Sequence, residues 1–153
     1  MVYLADMPED ARQTLVNQPL PEFAESPWAK GPAIAASRVA IISTAGLHRR
    51  EDPPFRGGAG DYRIIPGDVV PADLRMSHVS TNFDRLGFQQ DVNTVFPLDR
   101  LRELAKAGEV GSVADFHYSF MGATPPNVME ASARELAAVL KADRVDAVLL
   151  MGV

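Results

Sequence analysis

Cysteine is absent from the chain, and that single omission removes disulfides, a thiolate nucleophile and every cysteine-based metal site. Any redox chemistry needs a group that these residues do not include. Apolar runs are short: 39–42 and 145–153 fall far below the roughly 20 residues that a membrane-spanning helix requires. Residues 1–12 carry three acidic side chains and no apolar h-region, so no secretory signal is read there and a cytoplasmic location is expected. Blocks of Lys or Arg are also missing. With 20 acidic against 15 basic residues the formal net charge is -5, which argues against a nucleic-acid partner.

What is present suits one compact core. The 153 residues, 46% hydrophobic and 23% charged, lie in the range where a single domain buries roughly 70% of the unfolded chain's surface. Residues 1–37 hold five of the twelve prolines (Pro8, Pro19, Pro21, Pro27, Pro32) and leave room for one short helix near 9–16. They read as an arm. Trp28, with Leu15, Leu20 and Phe23, is expected to pin it to the domain or to a second subunit, and a homodimer is expected because such an arm has no core of its own.

The domain proper spans 38–153. Val39-Ala40-Ile41-Ile42-Ser43-Thr44 is a β-branched run of the kind found in central, doubly covered strands. Residues 45–76 form a long connection rich in Pro and Gly, with a short strand over 62–65. A further strand is read at 76–79, and Pro97 opens an amphipathic helix closed by Gly108. Residues 113–120 alternate, placing Phe116, Tyr118 and Phe120 on one face and Asp115, His117 and Ser119 on the other. A helix over 127–142, with Ala131, Leu136, Ala137 and Leu140 as its apolar stripe, leads into a second fully buried strand at 145–151. Strand, helix and strand in this order predict an α/β fold, flavodoxin-like or Rossmann-like, with a parallel or mixed sheet and the strands at 39–43 and 145–150 parallel and close together.

In such sheets ligands sit beyond the carboxyl ends of the strands. His48, Arg49 and Arg50 follow the first strand and suit a substrate carboxylate, or else form ordinary ion pairs with Glu51 and Asp52. His78, among small hydroxyl residues, and His117, beside Asp115 and Ser119, are candidate general acid/base groups, or simply hydrogen-bonded histidines. The His48 cluster is expected to approach the same concave region as His117. Asp84 and Asp91, with Asn93, either orient a substrate amine or cap turns. The three histidines lack the close pairing of a metal site, no GxSxG elbow marks a nucleophilic serine, and Gly57-Gly58-Ala59-Gly60 reads as a flexible hinge.

Several ordered segments carry a resemblance: 39–46, 48–55, 67–78, Asn82-Phe83-Asp84-Arg85-Leu86-Gly87-Phe88-Gln89-Gln90-Asp91, Val95-Phe96-Pro97-Leu98-Asp99-Arg100-Leu101 and His117-Tyr118-Ser119-Phe120-Met121-Gly122. Together they resemble the selenoprotein B family of the glycine, sarcosine, betaine and D-proline reductases, over about residues 38–153. The resemblance implies reductive cleavage of a C–N bond at the α-carbon of a small amino acid or N-methylated amine. It also implies a selenocysteine or cysteine after a strand like Asp146-Ala147-Val148-Leu149-Leu150, a pyruvoyl group on a partner subunit, and a thiol or selenol reductant. No cofactor is expected within these 153 residues themselves. The chain is expected to be truncated before that nucleophile, with a UGA codon, a shortened expression product and a natural stop as the alternatives. It is accordingly expected to be inactive alone, the other reading being a non-redox binding module for a small carboxylate or zwitterionic amine.

Overall fold

The computed structural model describes residues 3–17, 22, 25, 26, 28–80 and 85–153. Among the described residues, seven strands and four α-helices follow in order: α1 (Glu9–Val16), β1 (Arg38–Ser43), β2 (Leu47–Arg49), β3 (Arg63–Pro66), β4 (Leu74–Met76), α2 (Leu86–Gln90), α3 (Leu98–Lys106), β5 (Ser112–Val113), β6 (Phe116–Ser119), α4 (Pro126–Ala142) and β7 (Ala147–Met151). The result is an α/β domain whose main sheet is mixed and mostly parallel. β1 lies at its centre: β7 pairs in parallel along Val39 to Ser43 on one edge, and β5 and β6 share the other. β3 adds antiparallel outside β6, and β2 and β4 form a separate antiparallel ribbon.

Alternation along β1 divides the core in two. Val39 and Ile41 face Phe96, Leu98 and Leu101 from the α3 side, while Ile42 joins Tyr118, Phe120 and Leu136 of α4 on the other. A strand with apolar side chains on both faces becomes the interior strand because no other position covers both. α3 ends at Gly108 with φ 78°, and α4 closes through Arg144, which adopts φ 57°.

The structure corrects several sequence expectations. The alternating strand over 113–120 is broken at Ala114-Asp115 into β5 and β6, and the face carrying His117 and Ser119 is as buried as the one carrying Tyr118. Both faces are covered because the sheet is packed on two sides. β7 is not fully buried: Val148, Leu149 and Leu150 are exposed, the last at 66%, because among the described residues β7 is an edge strand. On α4 the stripe is formed by Met129, Leu136 and Leu140, while Ala131 and Ala137 face solvent. The strand read at 76–79 ends at Met76, and the three-residue β2 was not legible at all.

The arm contains α1, which has no buried residue, and Trp28 is 87% exposed. Trp28 therefore does not pin the arm to its own domain. Leu20 and Phe23 lie outside the described residues. The glycine tetrad is not a free hinge along its whole length, since a Cβ on Gly60 would come within 2.5 Å of the Val128 carbonyl oxygen, where the loop presses on α4.

Candidate functional site

The carboxyl ends of β1, β6 and β7 meet on one rim because the segments following them are stitched together. Thr44 N–H donates to the Met151 carbonyl at 3.0 Å, Gly122 N–H to the Thr44 carbonyl at 2.8 Å and Gly46 N–H to the Phe120 carbonyl at 2.9 Å. The Thr44 hydroxyl accepts from Val153 N–H at 2.9 Å. Gly122 is confined there, since an added Cβ would stand 2.8 Å from both the Thr44 and Val153 carbonyl oxygens. Gly46 turns with φ 65°, and its missing Cβ leaves room for the backbone of His78 at 3.1 Å. Ser77 N–H completes the join by donating to the Gly46 carbonyl at 2.9 Å.

His78 thus sits at this rim, buried, with Nδ1 accepting from Ser80 N–H at 3.2 Å. Burial first, then the Arg85 cation, lowers its pKa, so the ring is neutral at pH 7 and bears its proton on Nε2. Arg85 donates to the carbonyls of His78 and Ser80. Among the described residues it forms no ion pair, which leaves a guanidinium at the rim open to an anion. No local pattern in the sequence singles out Arg85; only the tertiary contact with the His78 backbone reveals it.

Arg49 is committed elsewhere. It forms a forked pair with Asp52 (3.1 and 2.8 Å) and a second contact with Glu51 at 2.9 Å, and the hydrogen bonds from Arg49 hold the Asp52 carboxyl below its usual range. Arg50 makes no ion pair among the described residues. It shares with Arg49 an open groove of about 370 Å³ that also contains Glu51, Asp68 and Asp73. Neither His78 nor His117 lines that groove.

His48 is buried, and both ring nitrogens are engaged: Nδ1 with the Arg49 carbonyl and Nε2 with Ser77 Oγ, each at 2.7 Å. It therefore offers no free N–H to a carboxylate. His117 is fully buried. Its Nδ1 accepts the N–H of Ile41 at 3.0 Å, its ring packs edge-on against Phe96, and Nε2 has no hydrogen-bond partner among the described residues. Burial, then the cations Arg102 and Arg38, lowers its pKa to about 4. The expected approach of the His48 cluster to His117 is not found, because His117 points into the packed layer beneath α3 while the groove opens beside the β2–β4 ribbon.

Asp91 caps a 3₁₀ turn at Val92–Thr94 by accepting from Asn93 N–H at 2.9 Å and from its side-chain amide at 2.8 Å. The backbone hydrogen bond comes first among the causes that lower its pKa. Asp84 lies outside the described residues. Among the described residues no three His, Asp or Glu side chains gather as a metal site, and no helix is long and apolar enough to cross a membrane.

The family model for glycine/sarcosine/betaine reductase selenoprotein B matches residues 16–153. The chain is 36% identical over 115 residues to the D-proline reductase subunit gamma of Acetoanaerobium sticklandii, covering 73% of this chain and 47% of that protein. It is 29% identical over 143 residues to the glycine reductase complex component B subunit gamma of Carboxydothermus hydrogenoformans, covering 86% and 32%. It is 28% identical over 123 residues to the betaine reductase complex component B subunit beta of Peptoclostridium acidaminophilum, covering 76% and 28%. The chain thus spans half or less of the length of these relatives. No solved structure matches. The chain belongs to the glycine/sarcosine/betaine reductase selenoprotein B family.

Proposed function

We propose that the chain contributes the substrate-binding rim of a cytoplasmic amino acid reductase that cleaves the C–N bond at the α-carbon of a small amino acid or N-methylated amine. The observation that carries this reading is the convergence of Thr44, Gly122 and Val153 beside His78 and Arg85. An anionic nucleophile and an anionic substrate group both need a cation and fixed donors where strand ends meet. Arg85 holds the substrate carboxylate through charge-assisted hydrogen bonds. His78 is the candidate general acid/base of this rim; it would first take up a proton, because the neutral ring is itself too weak an acid to protonate an amine.

The 153 residues supply no redox side chain, since Cys is absent. A selenol or thiol carried beyond Val153 would supply the electron pair that displaces the amine, and a pyruvoyl group on a partner subunit would prepare that amine. The rim suits such a nucleophile: Thr44 fixes the backbone at Val153, and the bare Gly122 lets the three backbones pack closely there. A thiol or selenol reductant then restores the nucleophile, so that two electrons enter for each C–N bond replaced by C–H. A homodimer, with the exposed Trp28 of one arm resting on the other subunit, fits the apolar arm.

The lack of cysteine favours a second reading, a binding module that holds a small zwitterion without turning it over. An extended reading frame carrying Sec, or Cys in its place, separates the two when assayed for substrate-dependent oxidation of a dithiol. Turnover by the extended form and none by the 153-residue chain is expected. Equal rates from both, or binding without turnover by the extended form, would overturn the reductase reading.

A further inference from the structure

A hydrogen-bonded hydroxyl–imidazole pair lies at the end of the β2–β4 ribbon, next to the rim. His48 lies opposite Arg75 in the antiparallel register, so Ser77, two residues beyond Arg75, falls on the same face and within diagonal reach. Ser77 Oγ is 2.7 Å from His48 Nε2, and His48 Nδ1 is 2.7 Å from the Arg49 carbonyl oxygen. A carbonyl oxygen accepts and never donates, so Nδ1 carries the ring proton. In the neutral ring Nε2 is then a lone pair, and at 2.7 Å the Ser77 hydroxyl must be the donor.

A hydroxyl bonded to a base, with that base oriented by a third group, is the arrangement that makes serine nucleophilic. No GxSxG turn is needed, because the ribbon register supplies the geometry. Burial protects the base, His48 being 5% exposed, whereas Ser77 is half-buried. We propose that Ser77 is an activated hydroxyl that accepts an acyl or phosphoryl group from an activated ester or phosphoryl donor. In the step, Oγ bonds to the acyl carbon or phosphorus as the bond to the leaving group breaks. The leaving group departs with the bonding pair, and the hydroxyl proton passes to His48 Nε2.

The 153-residue chain is treated with an alkyl fluorophosphonate, and adducts are located by peptide mass mapping. A single adduct at Ser77 is expected, with fluoride released; Ser77→Ala should abolish it, and His48→Gln should slow it by about 10²-fold, the usual worth of a positioned base. Because His48 is buried, His48→Gln is first checked for native circular dichroism. Independently of any variant, long-range ¹⁵N–¹H NMR of the unmodified protein should find the Nδ1–H tautomer at His48. Adducts spread over several serines, an unchanged rate in folded His48→Gln, or an Nε2–H tautomer would each overturn the proposal.

Discussion

The Nδ1 of His117 stands where a strand partner is missing. At the Ala114-Asp115 break the β5–β6 ladder skips Ile41, and the imidazole accepts that N–H instead. This ties the ring to stability. An unfolded histidine takes up a proton near pH 6.5, whereas the folded His117 resists until about pH 4. Through that window the unfolded state binds more protons, so stability present at pH 7 is lost as the pH falls from about 6.5 towards 4. The loss is on the order of 3 kcal/mol for His117, and His78, also lowered by burial, adds a slope of the same sign. Urea midpoints measured from pH 7.5 to 4.5 test this. His117→Leu should flatten most of the slope and cost about 1–3 kcal/mol at pH 7 by leaving Ile41 N–H unsatisfied; an unchanged slope would be incompatible with a neutral buried ring. Arg85 and Arg49 offer a second residue-level test, in the extended form of the proposed reductase. Losing a charge-assisted contact to a carboxylate costs about 1.5–3 kcal/mol, so Arg85→Gln should raise KM by about 10- to 100-fold. Arg49→Gln, which breaks only the pairs with Asp52 and Glu51, should leave KM within about twofold.

Elements were legible where one rule acted alone. The β-branched run of β1, the Pro97–Gly108 bounds of α3 and the helical period of α4 emerge from local preference and periodicity. The break between β5 and β6 was not legible, since alternation is the same whether or not a strand is interrupted. β2 was missed because three residues carry no period; they become a strand only by pairing with β4. Glycines separate by the same logic. Gly122 meets two carbonyl oxygens at 2.8 Å, while Gly57 meets nothing within 4 Å. Gly122→Ala should therefore destabilise by about 1–3 kcal/mol through overpacking. Gly57→Ala should be neutral or stabilising by up to about 1 kcal/mol. Thermal unfolding of the two variants checks the contrast, and equal melting temperatures would contradict the close packing at the rim.

At the scale of the whole molecule the salient feature is β7. Its backbone is paired on one edge only among the described residues, and Val148, Leu149 and Leu150 are exposed with no charge among them. Edge strands of soluble proteins are normally guarded by charge, Pro or a bulge, and this one has none within Ala147–Met151. The 153-residue chain should therefore self-associate with rising concentration. Leu150→Lys should shift sedimentation towards monomer while changing unfolding free energy by no more than about 0.5 kcal/mol, as expected for an exposed site. A monomer at high micromolar concentration before any substitution would remove the edge as a source of association.

The sequence by itself determined the fold class, the parallel partnership of β1 and β7, and the family, because each rests on patterns spread over many residues and tolerant of local error. It did not determine which charges were free. Arg49 and Arg85 look alike in sequence, and only the placement of Asp52 beside one and of the His78 backbone beside the other separates them. Nor did it decide that His117 is a buried prop and Ser77 the partner of His48, since those roles come from contacts across 76 and 29 residues of chain. Periodicity reports which side chains share a face. What lies opposite that face is set by the packing of other elements upon it, and that is decided only when the whole chain has folded.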